Sequence, residues 1–290
     1  MIDFAEAART DPARYERAYN PRAAVADLQA VLDARAPFNA RAMAEGDRVA
    51  DLAYGPHPRH RLDIWRPAGP GSHPAHLFFH GGYWRSGDKA NFAYLGAVLA
   101  ELGITTAIAN YELCPASNLD AVVASALSAF AWVTRHIGEY GGDPVQLTLS
   151  GHSAGAHLCA AILADPTLML PAGVRLLGTT MLSGAFDPSP AVYAGVNAEI
   201  GLTSEVAARQ NLERKPPRLR GPISILVGGD EPQEWIDLSL RYAAHLRDFS
   251  WDPSFAIVPD RHHFSILDDY RDAGGAVQRS ILQQIAAGRI

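Results

Sequence analysis

The sequence predicts a doubly wound α/β protein, a mostly parallel sheet with helices on both faces. Three observations predict it. Six short, nearly continuous apolar runs (His76–Phe79, Thr105–Ala109, Gln146–Ser150, Leu176–Leu182, Ile223–Val227 and Phe255–Val258) suit strands buried on both faces of a parallel sheet. Amphipathic stretches alternate with them, at Asn91–Leu102, Leu119–Tyr140, Ala154–Leu163, Trp235–Arg247 and Ala276–Ala287. Ahead of these, Arg48–Tyr54 and Arg61–Arg66 alternate apolar and polar side chains, as half-exposed antiparallel strands do. Two antiparallel strands followed by six parallel ones make eight.

In chain order, residues 1–45 are Ala- and Arg-rich with helical spacing, with Ala24, Leu28, Val31 and Leu32 on one face. This segment is expected to form a small helical cap over the active edge of the sheet. Pro67–Pro74 is too short for an interdomain linker and reads as a loop between strands. The stretch 188–216 holds no obvious strand, sits between two strands, and is expected to carry inserted cap helices. With no repeat or low-complexity tract, residues 1–290 read as one domain.

Composition narrows the function classes. Of 290 residues, 48% are hydrophobic, ample for a core and against disorder. The formal charge of −6, without long runs of like charge, argues against nucleic acid as a partner. Cys114 and Cys159 make no disulfide framework and match no zinc-ligand spacing, which favours a reducing compartment. Met1–Arg17 carries four acidic residues and no unbroken apolar stretch, so it reads as neither signal nor transit peptide. No uncharged apolar run is long enough to span a membrane. A cytoplasmic protein acting on a small molecule is expected, with a homodimer left open.

The strongest motif is Gly151-His152-Ser153-Ala154-Gly155, a G-x-S-x-G pentapeptide between the run ending at Ser150 and the helix opening at Ala154. That strand–turn–helix context makes Ser153 a candidate nucleophile, held at strained angles with small residues on both sides. The helix N-terminus behind it presents unpaired N–H groups where an oxyanion would form. Upstream, His80-Gly81-Gly82 follows the third strand directly, where α/β hydrolases of the lipase and esterase type build a second oxyanion donor. The N–H groups of Gly81, Gly82 and Ala154 are the candidate oxyanion hole.

The remaining catalytic groups should follow in the order Ser, acid, His. Asp230, in Gly228-Gly229-Asp230-Glu231 after a strand, is the preferred acid, with Glu231, Glu234 and Asp187 as rivals. In Arg261-His262-His263-Phe264, after the last strand, His263 is preferred as the base over His262, although spacing does not separate them.

These residues resemble the serine-dependent kynurenine formamidases (arylformamidases) of the α/β-hydrolase superfamily. His80-Gly81-Gly82-Tyr83-Trp84 is similar to that family's HGGYW, and Gly151–Leu158 to its GHSAGxHL. Tyr111–Pro115 is similar to its Y-x-L-C-P, and Tyr54-Gly55 through Leu62-Asp63 to its early strands. The likeness runs from about residue 48 to residue 270, with Tyr19-Asn20-Pro21-Arg22 only loosely similar. It implies an α/β-hydrolase fold without a cofactor, cleaving N-formyl-kynurenine to kynurenine and formate. It assigns Ser153 as nucleophile, Asp230 as acid and His263 as base. Tyr83 and Trp84 would then wall an aryl ring, and Arg85 would pair with a substrate carboxylate.

A carboxylesterase of small acyl or aryl esters is the alternative, since it shares every catalytic residue. A hydrolase-like binding protein that turns its ligand over slowly or not at all is a third reading. His76 with His80 and His152 with His157 lack a further ligand in register, so no metal is expected.

Overall fold

The computed structural model describes residues 3–288, so Met1, Ile2, Arg289 and Ile290 of the expected domain lie outside the described residues. Its centre is an eight-stranded sheet: β1 (Arg48–Ala53), β2 (Arg61–Trp65), β3 (His73–Phe79), β4 (Thr105–Ala109), β5 (Gly142–His152), β6 (Leu176–Leu182), β7 (Ile223–Gly228) and β8 (Ser254–Val258). The spatial order is β1-β2-β4-β3-β5-β6-β7-β8. The sheet is mixed. β1 runs antiparallel to β2, and β2 antiparallel to β4, in register Leu62↔Ala109, while the other neighbours are parallel. Thus β2 alone runs against the rest.

β4 and β6 are buried along their whole length, as their apolar runs predict. β8 departs from the prediction. It is an edge strand with Ala256 and Ile257 exposed, because β7 pairs with only one of its sides and, among the described residues, no strand covers the other. On the faces lie the helices Ala93–Glu101, Leu119–His136, Ala154–Ala164, Gln233–Asp248 and Ala276–Ala287. Every residue of Ala154–Ala164 is buried, so its small Ala and Gly side chains let it pack closely on the sheet, with about 2 kcal/mol from each buried Leu or Ile.

The N-terminal segment is helical at Phe4–Thr10, Pro12–Tyr19, Pro21–Ala24 and Leu28–Glu45. Each helix starts on a side-chain cap: Asp3 accepts from the N–H of Glu6, Asp11 from Arg14, Asn20 from Arg22 and Asp27 from Ala30. Polar caps at Asp3, Asp11, Asn20 and Asp27 break the first part of the segment into three short helices ahead of the 18-residue helix Leu28–Glu45. The segment 188–216 is also helical, with α-helices at Asn197–Ile200 and Ser204–Arg209 flanked by 3-10 turns. Among the described residues, no helix is long and apolar enough to cross a membrane.

Candidate active site

Loops after β3, β5, β7 and β8 bring together the residues singled out in the sequence, all at the carboxyl ends of parallel strands. Ser153 stands at φ 56°, ψ −116°, between the last residue of β5 and the first of the following helix. A non-glycine residue seldom holds a positive φ, and the cost is offset by the neighbours that enforce the bend. Two glycines make that bend feasible. A Cβ on Gly155 would sit 2.0 Å from the Phe79 carbonyl oxygen, and one on Gly151 would sit 2.3 Å from the Gly155 oxygen. The Ser153 amide donates to Leu182 O at 2.8 Å, which ties the elbow to β6.

Ser153, His263, Gly81 and Gly82 line one cavity of about 340 Å³. His263 is 3% exposed. Its Nδ1 donates to Glu231 Oε2 at 2.7 Å, which leaves Nε2 as the ring's free nitrogen. Glu231 Oε1 in turn accepts from Ser183 Oγ at 2.5 Å and from the Gly228 N–H at 2.8 Å. A buried carboxylate with donors on both oxygens is desolvated yet compensated, and it fixes both the tautomer and the orientation of the imidazole. Trp235 stands edge-on to the His263 ring at 4.9 Å and donates its Nε1–H to Ser183 O.

The expected acid, Asp230, is not the partner of this histidine. Asp230 is exposed, and its backbone N–H is turned to Arg261 O at 2.9 Å. That turn points the next side chain inward, and the extra methylene of Glu231 spans the gap to the ring. The other rivals are engaged elsewhere: Glu234 pairs with Arg14 at 3.0 Å, and Asp187 accepts from the Ser189 N–H at 2.9 Å. Of the two histidines, His262 is half-buried and its Nδ1 accepts from the N–H groups of Phe264 and Ser265. It caps a turn, and His263 faces the cavity.

The oxyanion-loop candidates are held from behind. A Cβ on Gly81 would lie 2.7 Å from His152 Nδ1 and 3.1 Å from Ser153 Cβ, so this backbone can approach Ser153 only as glycine. Gly82, Tyr83 and Trp84 all have positive φ, at 132°, 53° and 56°. That run folds the loop back on itself, with Gly82 O accepting from the N–H groups of Arg85 and Ser86 at 3.1 Å each. His80 stacks between Tyr111 at 4.4 Å and Phe92 at 5.7 Å, and burial pushes its pKa down to about 4. Ala154 is buried one residue past Ser153, and its side chain is not part of the cavity lining.

The expected substrate contacts separate. Tyr83 lines the cavity and donates its hydroxyl to Tyr19 O at 2.6 Å, while Arg85 lines it and pairs with Glu199 at 2.7 Å. Trp84 does not line it. The run of positive φ turns its ring into the core, edge-on to His157 at 5.2 Å and fully buried.

Three further features surround these residues, of which the second gives detail to the helical cap expected from the sequence and the other two lay outside the sequence reading. His152 is fully buried, and its Nε2 donates to the His263 backbone oxygen at 2.6 Å. Burial first, and then neighbouring His263, drives its pKa well below the ordinary value, so it is neutral. Second, the outer cavity wall comes from the N-terminal segment. Leu28 and Leu32, on the predicted apolar face, turn toward the cavity, and Arg35 donates to Phe264 O at 2.5 Å and pairs with Asp268 at 3.0 Å. No residue of 188–216 lines the cavity. Third, His57, His60 and Glu112 bring ligand atoms within 4.8 Å of one another and could hold a divalent cation. His60 Nε2 is already 3.1 Å from Glu112 and 3.0 Å from Ser125 Oγ.

A mostly parallel, eight-stranded sheet with a serine elbow at the end of its fifth strand is the α/β-hydrolase fold, and this chain is an enzyme of that fold. A sequence model described as alpha/beta hydrolase fold matches residues 76–200. The chain is similar to kynurenine formamidase of Danio rerio, 26% identical over 274 residues and 92% of each chain. It is also similar to esterase LipQ of Mycobacterium tuberculosis, 31% identical over 242 residues, 74% of this chain and 57% of that one. Among solved structures, esterase B from Lactobacillus rhamnosis superposes with a TM-score of 0.72 at 17% identity, covering 93% of this chain and 96% of that one.

Proposed function

We propose that this protein is a serine-dependent arylformamidase, and that it cleaves N-formyl-kynurenine to kynurenine and formate. The observation that carries the reading is the meeting of Ser153 and His263 in one cavity, with Glu231 behind the imidazole. Similarity to a kynurenine formamidase over nearly the whole chain supports the substrate.

With Glu231 holding Nδ1–H, His263 Nε2 takes the Ser153 proton as Oγ attacks the formamide carbon. The negative oxygen is received by the N–H groups of Gly81, Gly82 and Ala154, each worth roughly 3 kcal/mol of barrier. His263 then protonates the departing aniline nitrogen, leaving a formyl ester on Ser153, and water repeats the sequence to release formate. An anilide leaves more readily than an alkyl amine because its lone pair is delocalised into the ring.

The esterase reading has its own support in the 31% identity to LipQ. The deciding measurement is kcat/KM of the purified protein for N-formyl-kynurenine against p-nitrophenyl acetate. The formamide is expected to be the better substrate. An ester advantage of about a hundredfold, roughly 2.7 kcal/mol of transition-state stabilisation, overturns the proposal.

A further inference from the structure

We infer that Ser183 is a positioning residue of this site: from one strained backbone position it holds both groups that bracket the His263 ring, Glu231 through its hydroxyl and Trp235 through its carbonyl oxygen. This role rests on the hydrolase reading above and adds to it what keeps the base in register. Ser183 does not line the cavity, so it acts through its neighbours rather than on substrate.

Ser183 is the first residue beyond β6, fully buried, at φ 49°. Its N–H still donates to Leu226 O of β7 at 2.8 Å, so the chain leaves the sheet at this residue. Glycine meets a positive φ without strain, yet the glycine of this turn, Gly184, stands one position later. A serine kept at a strained position points to its side chain as the reason. The hydroxyl donates to Glu231 Oε1 at 2.5 Å, and the Glu231 side chain is only 1% exposed. A hydroxyl on a buried carboxylate makes one of the stronger hydrogen bonds a side chain can offer.

A glutamate has one torsion more than an aspartate, and its last torsion is soft, so the carboxylate plane needs a hold on the oxygen remote from the imidazole. Glu231 Oε2 accepts from His263 Nδ1 at 2.7 Å, while Oε1 is held by Ser183 Oγ and the Gly228 N–H. Without the hydroxyl, one backbone amide is left to fix that plane. Against the ring itself, Trp235 stands edge-on at 84°, with its Nε1–H on Ser183 O at 2.9 Å. Both restraints on the imidazole thus trace back to one residue. The other charged or titratable groups acting on the histidine and its carboxylate are His152, His262, Asp230 and Arg35, and they are common to the parent and the variants below.

The test uses the full chain, p-nitrophenyl acetate as substrate, and the variants Ser183→Gly and Ser183→Ala. Both lose the hydroxyl, but only glycine is released from the strained φ, so Ser183→Gly is expected to be the more stable of the two in urea. Both are expected to lower kcat by about tenfold with KM within about twofold, because the base is displaced while the cavity is not. The acid limb of the kcat/KM profile is expected to rise by about half a pH unit, since a carboxylate–imidazole pair that loses a donor takes up a proton more readily. With ¹⁵N-labelled histidine, the His263 Nδ1 proton, assigned by its absence from His263→Gln, is expected far downfield in the parent and lost to exchange in both variants. Ser183→Gly keeps the test readable if Ser183→Ala does not fold. Parental kcat and acid limb in Ser183→Gly overturn the inference, and so does a kcat that follows stability from one variant to the other with the acid limb unmoved. A parent that turns over neither ester nor formamide refutes the hydrolase reading instead. The imidazole resonance then decides the role of Ser183 by itself, its loss in Ser183→Gly supporting the hold and an unchanged signal overturning it.

Discussion

The ring of His152 carries the backbone of His263: its Nε2–H reaches the His263 carbonyl oxygen at 2.6 Å. The residue just before Ser153 therefore sets the position of the loop that carries the His263 imidazole. His152→Gln is expected to lower kcat by about tenfold or more with little change in KM, because a misplaced base weakens the chemical step more than binding. Equal rises in KM with kcat preserved would refute this role.

The carboxylate assignment separates neighbours in sequence. Glu231→Gln is expected to lower kcat/KM by roughly 10³- to 10⁴-fold, since the wrong tautomer of His263 is then favoured. Asp230→Asn, on the exposed side of the same turn, is expected to stay within about twofold. Steady-state kinetics on an aryl ester decides it, and a large loss in Asp230→Asn with Glu231→Gln unaffected would restore the assignment made from sequence.

Gly155 faces the end of β3 with no room to spare. Gly155→Ala is expected to destabilise the fold by roughly 3 kcal/mol, because a methyl group 2.0 Å from the Phe79 carbonyl forces strand and helix apart. Urea unfolding with an unchanged m-value measures this, and a loss below about 0.5 kcal/mol would contradict it.

Stability is expected to fall on the acid side of neutrality. Burial pushes the pKa values of His80 and His157 down to about 4, whereas an unfolded histidine titrates near 6.5. From pH ~6.5 downward the unfolded chain therefore takes up protons that the folded chain refuses. Each such residue costs about 1.4 kcal/mol per pH unit until its folded pKa near 4 is passed, after which the loss levels off. Above about pH 7 both states are neutral at these positions and the contribution is constant. In His157→Gln the decline of Tm between pH 7 and pH 5 should be shallower than in the parent. Parallel curves would show that His157 does not titrate on unfolding.

Local sequence was informative where local physics decides the outcome. The β–turn–helix around Ser153 follows from an apolar run, two small residues and a helical pattern, and it stands where those place it. The choice between Asp230 and Glu231 depends on the direction of a turn whose Asp230 N–H is held by the Arg261 carbonyl, 31 positions further on, so spacing could not settle it. Trp84 reads as a cavity wall from its place beside two glycines, but three successive positive φ angles send it into the core. β8 carries an apolar run like the inner strands, and only its position at the sheet edge exposes it. The apolar face at Leu28 and Leu32 and its place as a cap over the active edge were both legible, but the residues that share the cavity with it, from Gly81 to Leu267, were not, because they lie about fifty residues or more further on.

Arg35 joins the fourth helix of the chain to the stretch just after His263, through Phe264 O and Asp268. One wall of the chamber is thus drawn from residues 20–39 and the imidazole facing it from position 263, held together by a single guanidinium. A cut between the helical wall and the sheet is expected to leave the serine elbow standing and the chamber open to solvent.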